Sequence, residues 1–236
     1  MASALAAHIW VDEVVLSNAY DDDVVVSFVD AACVRQVSAF TLCFPHGYDI
    51  IAQNMVALTR LLLSSSLKTL EIVVKDDSIR DESRMAQLHG AFQASTLTHL
   101  KLVFQLYKIG GNIACVIDAA AAIPRLRSLK VAITQEAQVY LFGHIDDAAL
   151  GRVFGLLLAR NMPSLHTLDM RECSIGSEAL MQLLAGLSGN THLRKLELNY
   201  RSHPHFYGFT DDRDPIHDLA RDFLEPALKA LAERAE

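Results

Sequence analysis

Read as apolar and polar positions, the chain repeats one short phrase: apolar, two variable, apolar, one variable, apolar. It is clearest in Leu67-Lys68-Thr69-Leu70-Glu71-Ile72, Leu97-Thr98-His99-Leu100-Lys101-Leu102, Leu126-Arg127-Ser128-Leu129-Lys130-Val131, Leu165-His166-Thr167-Leu168-Asp169-Met170 and Leu193-Arg194-Lys195-Leu196-Glu197-Leu198. Val11-Asp12-Glu13-Val14-Val15-Leu16 and Val37-Ser38-Ala39-Phe40-Thr41-Leu42 carry the same phrase with other residues. In a chain that is 51% apolar, three fixed apolar positions match roughly one window in eight by chance, so one copy has no weight. The spacing supplies it. Copies begin near 11, 37, 67, 97, 126, 165 and 193, close to one period with a single insertion of chain between the fifth and sixth. A period of this size marks stacked supersecondary units.

Each interval between copies carries a helical pattern behind a residue able to cap it. The expected caps are Asp21 to Asp23, Asp49, Asp81, Asn112, Asp146, Ser177 and Asp214. Leu150, Val153, Phe154, Leu157 and Leu158 form one apolar face, and Leu180, Leu183, Leu184 and Leu187 repeat it. Asp214-Pro215 is a cap followed by a proline at the first helical position, and Pro226 restarts or kinks the last helix. The pattern predicts a single α/β domain over 1–236, with a C-terminal loop and capping helix over 199–236.

Residues 165 to 187 read Leu165-x-x-Leu168-x-Met170-x-x-Cys173-x-Ile175-Gly176, followed by the Leu180 to Leu187 stripe. This resembles the leucine-rich repeat of the long, helix-containing kind found in ribonuclease-inhibitor-like proteins, and the resemblance runs from Val11 to Leu198. Only that repeat carries the full motif. At the ninth position, where the family usually has Asn or Cys to bond the turning backbone, the other repeats hold Ala19, Pro45, Lys75, Gln105, Thr134 and Arg201. The resemblance implies a horseshoe segment of about seven parallel strands on the concave side with helices on the convex side, and a scaffold that binds a partner. Spacing physics agrees independently: strands stack about 4.8 Å apart and helices about 10 Å, so strand-helix units bend with the strands inside.

With the apolar positions in the core, the residues between them line the concave face as a row: Val15, Thr41, Glu71, Lys101, Lys130, Asp169, Glu197. One reading is a binding strip with a basic centre at Lys101 and Lys130, joined by His99, Arg171 and Lys195. The other is a solvated row of lateral ion pairs, each contributing about 0–1 kcal/mol. Aromatic residues also cluster after the strand patterns. Tyr140 and Phe142, beside His144, lie in the inserted stretch, and Phe206, Tyr207 and Phe209, beside His203 and His205, follow the last strand. Long loops of this kind are often functional. They are candidate partner contacts, against a reading in which the rings lid the core. His203 and His205 with Asp211, Asp212 and Asp214 have weak zinc-site spacing. Gly110-Gly111-Asn112 beside Lys108 reads as an ordinary turn more readily than as an anion cradle.

Composition narrows the function classes. The net charge of −7 argues against a phosphate-tracking nucleic-acid binder. No 18-residue apolar run and no cationic leader are present, so neither a membrane span nor a secretory signal is expected. The four Cys lack disulfide or zinc spacing and read as reduced, largely buried thiols of a cytoplasmic protein. No catalytic residues, metal or cofactor are expected, and the partner is another protein. The competing reading is an enzyme or metal-dependent activity on loops 134–145 and 199–213, with His144, His203 and His205 as ligands or bases. The N-terminal edge, with only ten residues before the first repeat, is expected to be the weak end of the stack and a place for self-association or docking.

Overall fold

The computed structural model describes residues 11–17, 22–43, 50–75, 81–105, 113–134 and 147–200. Among these, seven strands form one sheet: β1 (Glu13–Ser17), β2 (Ala39–Cys43), β3 (Thr69–Lys75), β4 (His99–Gln105), β5 (Ser128–Thr134), β6 (Thr167–Ile175) and β7 (Lys195–Tyr200). Every neighbouring pair is parallel, and the spatial order is the chain order. The helices between them are α1 (Asp22–Arg35), α2 (Ile50–Gln53), α3 (Met55–Leu62), α4 (Glu82–Ala94), α5 (Ile113–Ala121), α6 (Asp147–Ala159) and α7 (Ser177–Leu187). They pack on one another in sequence as a second layer. The fold is a parallel α/β solenoid.

One backbone device recurs at every step. The carbonyl of the second residue of each repeat accepts two successive amides from the next: Ser38 and Ala39 donate to Asp12, Lys68 and Thr69 to Ser38, Thr98 and His99 to Lys68, Arg127 and Ser128 to Thr98, His166 and Thr167 to Arg127, and Arg194 and Lys195 to His166, all at 2.8–3.0 Å. These forks start each strand at the same height. They fix the register that places the apolar phrase in the core, where a slip of one residue would turn every side chain to the other face. The first six copies accordingly bury their second and third apolar residues to 8% exposure or less.

Strands β3 to β5 run in unbroken register over seven residues. Their inward residues stay on the two-residue period, so Val74, Phe104 and Ile133 fill the core at the eighth position of the repeat. β6 departs from this. Between Lys130↔Asp169 and Ala132↔Glu172 it advances three residues against two, which is a β-bulge. Against β7 it carries more extra chain, between Met170↔Leu198 and Ile175↔Tyr200. The bulge turns Arg171 and Glu172 outward in succession and brings Cys173, the ninth residue, into the core. The Cys173 thiol then donates to the Val131 carbonyl of β5 at 3.3 Å, at the height where the ladder is interrupted. Cys173 thus bonds the backbone of the neighbouring strand, and β3 to β5, which carry no Cys at this position, run straight.

Helices α6 and α7 form the most extensive helix contact in the fold. Its centre is backbone on backbone: a Cβ on Gly151 would meet Ala179 Cα at 2.4 Å, one on Gly155 the Gln182 carbonyl at 2.6 Å, and one on Gly186 the Gly155 carbonyl at 2.2 Å. Only glycine permits that approach.

The sequence reading needs correction at several points. α7 is capped by Gly176 without a side-chain bond, and Ser177 is its first residue. α3 is capped by Asn54, whose side chain accepts from the Ala57 amide at 2.9 Å. Asp81 caps α4 as expected, accepting from Ser83 and Arg84. Cys33, Cys115 and Cys173 are free thiols, but Cys115 is exposed and Cys33 only half-buried, because both sit on the flanks of their helices. At the N-terminal edge Val14 and Leu16 are buried, whereas at the other end Leu196 and Leu198 are half-buried. Asp21, Asp49, Asn112, Asp146, Asp214 and the capping helix lie outside the described residues.

Candidate interaction face

The row inferred from the sequence is one continuous line of register partners: Val15, Thr41, Glu71, Lys101, Lys130, Asp169 and Glu197, each opposite the next. Because each lies between two core residues of its strand, all face away from the helix layer. Beside this row run Val73, Val103 and Ala132, also paired in register.

The charges are satisfied locally. Lys101 Nζ donates to Glu71 Oε1 at 2.7 Å across β3 and β4. Lys130 stands opposite Asp169 in register, yet its ion pair is with Glu172 Oε1 at 2.5 Å, which the bulge swings toward β5. That bond, with Glu172 and Asp169 nearby, raises the Lys130 ammonium above its ordinary value. Asp169 is taken by Arg171: its carboxylate accepts from the Arg171 Nη2 at 2.8 Å, and from the Nε and the backbone amide at 3.1 Å each. This fork from Arg171 holds the Asp169 carboxyl below its ordinary value against the opposing effect of burial. Glu197 Oε2 lies 3.1 Å from Lys195 Nζ, and Glu197 Oε1 lies 3.5 Å from Arg171 Nη1, both ion pairs.

The result is charge layering. Asp169 and Glu197 lie low, 8% and 22% exposed, while the cations that cover them stand out, with Arg171 55% and Lys195 61% exposed; the Lys130–Glu172 pair is layered the other way, with Lys130 30% and Glu172 48% exposed. The neutral group of Asp169, Arg171, Lys195 and Glu197 therefore presents its cations outermost, with the exposed Glu172 carboxylate beside them. The strand-start rim adds to it. Lys68, Thr98, Arg127, His166 and Arg194 succeed one another along the backbone forks. Lys68 is held by the Ser65 carbonyl and Thr96, and His166 Nδ1 donates to the Ser164 carbonyl. Arg127 and Arg194 are exposed and make no ion pair among the described residues.

Of the sequence candidates, Lys101, Lys130, Arg171 and Lys195 are brought onto one face. Tyr140, Phe142, His144, His203, His205, Phe206, Tyr207 and Phe209 lie outside the described residues. Among those described, no three His, Cys, Asp or Glu side chains are grouped to hold a metal ion, and no helix is long and apolar enough to cross a membrane. Sequence reasoning missed Glu172 as the partner of Lys130, and the Arg127–His166–Arg194 rim. The first needed the bulge; the second was visible as the second residue of each repeat once the forks align those positions.

The sequence matches no family model and no curated protein. Among solved structures, the tropomodulin C-terminal domain from Caenorhabditis elegans aligns with 99% of this chain and 97% of its own length, at 12% identity and a TM-score of 0.28.

Proposed function

We propose that the chain is a protein–protein interaction module, a single leucine-rich-repeat domain over 1–236 of the long, helix-containing kind, working in the cytoplasm without a cofactor. The concave face across β3 to β7 receives the partner, with the aromatic loop residues as a flanking contact. The observation that carries this reading is the layered row, in which Arg171 and Lys195 stand exposed over Asp169 and Glu197. Such a face costs little to keep in water and gains specificity and association rate from a partner of complementary potential. Its ion pairs are worth too little in water, about 0–1 kcal/mol each, to account for the face as a device of stability.

Affinity capture from the native cell tests it, using the wild-type chain, the concave variant Arg171→Glu/Lys195→Glu and the convex control Val56→Ser, an exposed residue of α3. A protein retained by wild type and control but lost by the concave variant supports the reading. Equal retention by all three overturns it.

A further inference from the structure

The two ends of the solenoid are complementary to each other. At the β1 end the forks lack their upstream half: the amides of Asp12 and Glu13 have no acceptor among the described residues, and both side chains are exposed. At the β7 end they lack the downstream half: the Arg194 carbonyl accepts no amide among the described residues, and Arg194 and Lys195 are exposed. The rim thus runs from an acidic pair to a basic pair at the same two positions of the repeat. The apolar positions tell the same story. Leu196 and Leu198 are half-buried, whereas their counterparts in every earlier repeat are 8% exposed or less.

We infer that the β7 edge of one chain docks a second copy of this chain at its β1 edge, head to tail. Continuing the register by one repeat places Asp12 and Glu13 amides on the Arg194 carbonyl, Glu13 beside Lys195, Val14 beside Leu196 and Leu16 beside Leu198. The contact is heterologous, so it propagates into open assemblies unless the rotation closes. Charge complementarity selects this occupant over an unrelated strand, since parallel pairing of a foreign edge would need the same acidic pair at the same height.

Sedimentation velocity on the full chain over a concentration series tests the inference. Wild type should associate in a concentration-dependent and salt-weakened manner. Arg194→Glu/Lys195→Glu and Asp12→Lys/Glu13→Lys, each with like charges at both ends, should associate at least about tenfold more weakly alone, and mixing the two should restore association. Circular dichroism matching wild type establishes that each variant is folded, and the mixing experiment separates lost complementarity from lost structure. A wild type that stays monomeric to roughly millimolar concentration overturns the inference, as does association that neither double variant weakens or that mixing fails to restore.

Discussion

Two halves of one sheet solve the same packing problem differently. From β3 to β5 the strands are straight, seven residues long and in full register, and the concave charges pair across neighbouring strands. From β6 to β7 the ladder is bulged, the ion pairs form a tight network within two strands, and the helices behind approach until their backbones touch. The difference traces to few residues. Cys173 supplies an inward polar group that a bulge can use, whereas the straight strands put Val74, Phe104 and Ile133 there instead. A regular ladder spreads its charges evenly. A bulge concentrates them, because it sends two successive side chains, Arg171 and Glu172, to the same face.

The comparison can be broken from the core outward. Leu168→Ala removes a fully buried side chain and should cost about 2–5 kcal/mol in urea unfolding, while Leu196→Ala, half-buried at the end, should cost clearly less. Equal costs would mean that the C-terminal end is as closed as the middle. Next, Gly186→Ala should destabilise by about 1–3 kcal/mol, since its new Cβ would meet the Gly155 carbonyl at 2.2 Å. Gly90→Ala in α4, with nothing within 4 Å, should instead stabilise by about 0.5–1 kcal/mol. If both glycines respond alike, the close helix contact is not real.

Acid sharpens the same contrast. Arg171 depresses the folded Asp169 pKa, so its contribution is fully present above the ordinary value of 3.8 and is lost as pH falls through the lower folded value. Asp169→Asn should flatten the stability profile in that acid range, read by thermal melts across pH. An unchanged slope would remove Asp169 from the network. The smallest effect concerns reactivity. Burial, with Glu172 and Asp169 adding, pushes the Cys173 thiol up to about 12, so at neutral pH a thiol reagent should label exposed Cys115 first and Cys173 only on unfolding.

Much of the architecture was legible because the repeat fixes three core positions at once. Leu67, Leu70 and Ile72, and their equivalents down the chain, had nowhere else to go, and the concave row followed from alternation alone. What alternation could not show was its own interruption. Lys130 was expected beside Asp169 and stands there in register, but the bulge brings Glu172 to it first. Burial places Val14 and Leu16 inside and leaves Leu196 and Leu198 half-covered, because coverage depends on packing that the sequence pattern does not specify. The glycines of α6 and α7 read as ordinary helix residues, since a close approach between helices leaves no mark on the period of one helix.

That helix contact also governs how far a straight ligand can follow the inner surface. With strands about 4.8 Å apart and layers about 10 Å apart, helices at about 10 Å turn each unit by roughly 30°, and helices at about 8 Å by roughly 18°. By bringing α6 and α7 together, Gly151, Gly155 and Gly186 flatten the wall beneath Asp169, Arg171 and Lys195. A rigid rod seated flat on this unit would run into the earlier units, which curve up toward it.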